Sequence, residues 1–109
     1  MENNSSPFLL MQQVERLIKG ILRAVDDDLL DTAQKKAVAS IKRLTIDARL
    51  DIRDYELSET RDEQLAKCAQ AKKRVVQLQT TILAAGPVFG PADVAQLTAQ
   101  LEQIVSNLQ

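Results

Sequence analysis

Histidine is absent from this chain of 109 residues, and that narrows its chemistry before any fold is considered. Histidine is the usual general base near neutral pH, the commonest transition-metal ligand and the base of Ser-His and Cys-His nucleophile pairs. What remains is a set of carboxylates and cations. Asp47, Asp51 and Asp54 recur at helical spacing, so they share one helix face and could offer hard oxygen ligands. A di-iron bundle, however, needs Glu ligands and Glu-x-x-His pairs on facing helices. With Arg43 one turn before Asp47, these acids read as a solvated flank. Asp26-Asp27-Asp28 lacks the spaced ligands and central glycine of an EF-hand loop and reads as a helix-capping turn. No metal and no cofactor are expected.

The densest basic cluster is Lys72-Lys73-Arg74, with Lys67 one turn before it. These four residues are the candidate anion or nucleic-acid contact. Asp62 and Glu63 stand close by, no stacking aromatics accompany the cluster, and the formal net charge is −1, a poor electrostatic footprint for a polyphosphate. Cys68 is the single cysteine and falls on an apolar stripe, where a thiol packs as a small hydrophobe. It cannot form an internal disulfide, which agrees with a cytoplasmic protein. There is no apolar run long enough to span a bilayer, and the polar start Met1-Glu2-Asn3-Asn4-Ser5-Ser6 lacks the basic region and cleavage site of a secretory signal. A soluble, cytoplasmic chain is expected.

These residues must be positioned by helices. Hydrophobic residues make up 45% of the chain but aromatics only 3%, so the core is built from Leu, Ile, Val and Ala. Residues 1–6 read as a disordered tail and 7–109 as one helical domain. Ser6-Pro7 is an N-cap and first-turn pair for a helix over 7–25, with Leu10, Val14, Leu17 and Ile21 as its stripe, widened by Met11, Ile18 and Val25. A second helix starts near Asp28 or Asp31, with Val38, Ile41, Thr45, Ala48, Ile52 and Tyr55 facing inward. Residues 58–64 contain no apolar side chain, and Thr60 with Glu63 fits a capping box. Yet no Gly or Pro enforces a break there. A single helix over 28–85, on the order of 85 Å long, is the alternative, and such a rod would have to dimerise.

The following helix carries Cys68, Ala71, Val75, Leu78 and Ile82 on its stripe, with Ala69, Val76 and Leu83 widening it. Ala84-Ala85-Gly86-Pro87 ends it, and Gly90-Pro91-Ala92-Asp93 opens a last helix with Val94, Leu97, Leu101, Ile104 and Leu108 as a heptad. The expected fold is all-α, a three- or four-helix bundle.

One segment breaks the pattern. Ile46 to Arg53 alternates apolar and charged residues, a strand-like period with no second strand to pair with it. Read as a helix, it puts Ala48, Ile52 and Tyr55 on one side and Ile46, Leu50 and Leu57 on nearly the opposite side. Arg49, Arg53, Asp47 and Asp54 then rim an apolar seam, which is the anatomy of a protein interface.

The piece Arg23-Ala24-Val25-Asp26-Asp27-Asp28-Leu29-Leu30 is faintly similar to the opening helix of the all-helical chorismate mutases. The resemblance covers eight residues, the Arg and Lys pattern of that family does not follow in register, and two turns interrupt where the family has one long helix. It implies a small helical enzyme holding an anionic metabolite with Arg, Lys, Gln or Glu side chains. The sequence favours a different class: a non-catalytic helical interaction module, an adaptor, regulatory or scaffold subunit. Its partners are expected to be a second copy, giving a homodimer, and another protein, and its interface Ile46, Leu50, Arg53 and Leu57. A nucleic-acid-associated regulator using Lys67, Lys72, Lys73 and Arg74 is the remaining alternative.

Overall fold

A computed structural model describes residues 6–108, and four α-helices account for most of them: α1 Pro7–Arg23, α2 Thr32–Glu56, α3 Arg61–Ala84 and α4 Pro91–Asn107. Short 3-10 turns, Asp27–Leu29 and Gly86–Val88, join α1 to α2 and α3 to α4. The expected disordered tail at 1–5 lies outside the described residues. Ser6 lies within them and caps α1, its hydroxyl accepting from the Leu9 N–H at 3.1 Å.

The helix boundaries follow from local chemistry. Helix α1 stops at Arg23, two residues short of the expected Val25. Beyond it, Asp26 turns its side chain onto the Asp28 N–H at 3.0 Å and starts a 3-10 turn instead of a helical one. Asp31 is the true N-cap of α2, and Gln34 completes a capping box with it. Thr60 and Glu63 form a second box that opens α3. The single-rod alternative is therefore excluded, and the molecule's longest dimension is 47 Å. At the end of α3, Gly86 takes φ +65°, the left-handed conformation that glycine adopts without cost just past a helix.

The helices close into a ring in which each packs on its chain neighbours and α1 also packs on α4. The most extensive contact is the α2–α3 hairpin. It is antiparallel, as Arg74–Asp51 and Lys67–Asp54 require. Helices α1 and α2 are antiparallel too. The Phe8 N–H donates to the Glu56 carboxylate at 3.0 Å, and Arg49 donates to Glu15 at 3.0 Å.

The core is aliphatic. Met11, Val14 and Ile18 of α1, Ile41, Ala48 and Ile52 of α2, Ala71, Val75 and Leu78 of α3, and Leu97, Leu101 and Ile104 of α4 meet in it. Ala48 and Ala71 alternate with larger neighbours along the hairpin, letting the two long helices approach closely. Phe89 and Leu108 are buried at the edges of this core. Thr45, within the α2 stripe, satisfies its hydroxyl by donating to the Ile41 carbonyl. The three expected widenings of the α3 stripe fail: Ala69, Val76 and Leu83 are exposed, because α3 packs chiefly on α2 and α4 and these residues face neither.

Two consequences are measurable. Leu101→Ala empties a fully buried site at the centre of the bundle and should lower stability by about 2–4 kcal/mol, whereas Val76→Ala should stay within about 0.5 kcal/mol. Thermal or urea unfolding followed by circular dichroism checks the contrast. Arg49→Met strips a nearly buried Glu15 carboxylate of its best donor and should cost about 1–2 kcal/mol; a cost near zero would show that Lys19 alone satisfies Glu15.

Candidate functional site

Helix α2 has more than one working face, and its neighbours explain why. Its inward stripe meets α1 and α3. On the α3 flank, Asp51 takes Arg74 Nε at 3.1 Å, Asp47 stands 4.0 Å from Arg74 and Asp54 stands 4.0 Å from Lys67. On the α1 flank, Arg49 reaches Glu15, and Lys42 borders the groove between α1 and α2. Arg53, one turn beyond Arg49, carries this cationic flank toward the C-terminus, where it also approaches Asp54 at 3.5 Å.

Between the flanks lies the outer line Ile46, Leu50 and Leu57. All three are left at least a third open to solvent: Ile46 is 46% exposed, Leu50 37% and Leu57 69%. The strand reading of this segment gives way to an uninterrupted helix from Thr32 to Glu56. Leu57 caps the C-terminus of α2, its N–H donating to the Arg53 carbonyl, so the line runs out to the helix end. Four positions singled out from the sequence, Ile46, Leu50, Arg53 and Leu57, thus form one continuous outward ridge.

The second set divides. Lys67 and Arg74 point back onto the acids of α2, so half of the basic cluster is engaged within the fold. Lys72 is half-buried and Lys73 exposed. The acids Asp47, Asp51 and Asp54 do share a face, but that face serves the α2–α3 hairpin and is more than a solvated flank. Among the described residues no group of three or more His, Cys, Asp or Glu side chains is placed to hold a metal ion. Cys68 is buried in the core. The segment similar to the opening helix of chorismate mutases is not helical beyond Arg23; it forms the connection and the 3-10 turn.

One feature of the surface was not anticipated. A groove of about 530 Å³ runs between α1 and α2, with Ile18, Leu22 and Ile46 as apolar lining and Lys19, Arg23, Lys42 and Arg49 around it. Glu15 is the single acid there, and it is held by Lys19 at 3.3 Å and Arg49 at 3.0 Å. A sequence signal existed: Lys19 and Arg23 lie four apart on α1 and Lys42 and Arg49 seven apart on α2, so each pair marks one edge of a helix. What the sequence lacked was the register that brings the two edges together. No helix among the described residues is long and apolar enough to cross a membrane. Comparison with family models, with curated proteins and with solved structures returns no match, so the reading of this site rests on its own geometry.

Proposed function

We propose that the protein is a non-catalytic helical interaction module, an adaptor or scaffold subunit, that self-associates through the outer ridge of α2. The observation that carries this reading is the continuous exposure of Ile46, Leu50 and Leu57 on a helix whose inner stripe is already fully used. Three aliphatic side chains on one line, rimmed by charge, match the core and rim of a protein interface better than scattered surface leucines do.

The rim favours a second copy as the partner. Lys42, Arg49 and Arg53 lie on the α1 flank of the ridge, with Glu56 beyond them, and Asp47, Asp51 and Asp54 on the α3 flank, with Arg43 before them, so each ridge is electrostatically biased from one side to the other. Two such ridges packed with their helices parallel, about a two-fold axis along α2, set each cationic flank against the other copy's acidic flank. An antiparallel pairing would set like charges together. Parallel pairing also brings each residue opposite its own counterpart.

The nucleic-acid alternative is weaker because Lys67 and Arg74 already serve the acids of α2. An enzymatic reading would draw on the cations of the α1–α2 groove, and it is the weaker one because the single acid there, Glu15, is already held by Lys19 and Arg49.

Sedimentation at about 10 µM, a concentration at which a micromolar dimer is populated, tests the proposal. Leu50→Asp and Leu57→Asp should each weaken association at least about tenfold while the helical circular dichroism is retained. A wild-type chain that stays monomeric to about 100 µM removes self-association through the ridge. Orientation has its own readout: with Leu57→Cys, the parallel arrangement predicts a disulfide between the two introduced cysteines.

A further inference from the structure

The connection between α1 and α2 carries an apolar side chain that the fold leaves outside. Leu29 is 80% exposed, although it sits in an ordered 3-10 turn whose N–H groups are bonded back to Asp26 and Asp27. Around it stand Asp26, Asp27 and Asp28, none of which makes an ion pair within 4 Å among the described residues. The α1–α2 groove has the opposite character. Its lining is apolar and its cations outnumber its one acid four to one; Arg23 and Lys42 have no ion-pair partner among the described residues. The molecule thus presents an acid-ringed leucine and, separately, a base-ringed apolar groove.

Their placement is reciprocal. The Phe8–Glu56 and Glu15–Arg49 contacts fix the register of α1 against α2, and in that register Arg23 ends level with Ile41. The residues of α2 before it, Thr32 to Ser40, project past the end of α1 by about 13 Å at the usual helical rise. The connection bearing Leu29 has to run back along that projecting length, while the groove lies on the other side of the same level, beside Lys42 to Arg49. Turn and groove therefore occupy successive levels along α2. A two-fold axis crossing α2 near Ile41 exchanges those levels.

We infer that the α1–α2 groove is a docking site for the Asp26–Leu29 turn of a second copy of this chain, each copy inserting its Leu29 over Ile18, Leu22 and Ile46 of the other. Asp27 and Asp28 meet Arg23 and Lys42 across the contact, giving charge-assisted pairing around an apolar plug. Because the contact is isologous it closes on itself and stops at two copies. It does not rest on the α2 ridge, although the two surfaces share Ile46: the ridge pairs α2 helices in parallel, whereas this contact sets them antiparallel. Two turns and two grooves make a small interface, of the kind that forms weakly.

The test uses the full chain with Leu50→Asp and Leu57→Asp together, which silences the ridge, at about 1 mM, where weak contacts are populated. Concentration-dependent amide shifts in two-dimensional NMR should cluster at residues 22–29 and 42–46, and adding Leu29→Asp should abolish them. A charge exchange then identifies the partner surfaces. Arg23→Glu with Lys42→Glu on one chain, and Asp27→Lys with Asp28→Lys on another, should each lower self-association at least about tenfold, and mixing the two should restore it. A ridge-silenced chain with no concentration dependence at 1 mM overturns the docking without touching the ridge. Association that survives Leu29→Asp, or a mixture that fails to recover, also overturns it. An apolar contact that persists in Leu29→Asp but disappears in Ile46→Asp assigns the groove to a different occupant.

Discussion

The structure depends on a four-residue break between α2 and α3. Residues 57–60 contain neither glycine nor proline, and helix-forming residues continue on both sides of them. The chain turns because Thr60 and Glu63 satisfy each other's backbone N–H groups and so give a new helix a start that costs little. Ser58 helps from the other side by bonding back to the Asp54 carbonyl. Without this break the inward stripes of α2 and α3 would face along a rod that no flanking helix of seventeen residues could cover. With it, the stripes meet each other, and α1 and α4 need only close the remaining side.

The same fold-back decides what the charges do. Asp47, Asp51 and Asp54 on α2 and Lys67 and Arg74 on α3 look in isolation like a carboxylate cluster and a basic patch. Antiparallel pairing brings them together, and each set becomes the other's partner. These pairs are partly exposed and contribute modestly, roughly 0.2–1 kcal/mol each, so they set register more than stability. Glu15 is the exception, because its carboxylate is nearly buried and its two cations come from different helices. It fastens α1 to α2 at a fixed level, and the α1–α2 groove is defined by that level.

Most of the fold was legible in the sequence because helix periodicity and capping are local. The inward stripes of α2 and α3 were read residue by residue and are buried as read, and of the Val94, Leu97, Leu101, Ile104, Leu108 series all but the half-buried Val94 are buried. The capping box at Thr60 was legible for the same reason. Two readings failed, one for a non-local reason and one for a local one. Val76 and Leu83 looked like part of a wide apolar face, but whether a flank is covered depends on which neighbour lies beside it. The end of α1 was read at Val25 and falls at Arg23, because the Asp26 side chain bonds the Asp28 N–H and opens the turn that the acidic triplet was read as. Of the candidate surfaces, the α2 ridge was visible from one helix alone. The groove was not, since half of it is contributed by α1 across a register that the sequence does not display.

The exposed apolar residues of α2 are not a by-product of building the helix. Leucine has helix propensity close to that of arginine, lysine, glutamine and glutamate, and isoleucine is worse than any of them, so charged residues at 46, 50 and 57 would have formed α2 at least as well. Nor does the core need them. The inward stripe from Val38 to Tyr55 is complete, and the three side chains are absent from the buried cluster. Burying each of them would release roughly 1–2 kcal/mol that the monomer leaves unused. The charges on either side are biased, with Lys42, Arg49 and Arg53 toward α1 and Asp47, Asp51 and Asp54 toward α3, Glu56 and Arg43 being the exceptions. Part of that bias serves the fold, since Arg49 pairs with Glu15 and Asp51 with Arg74; under the proposed two-fold pairing the same bias also gives complementarity between the copies.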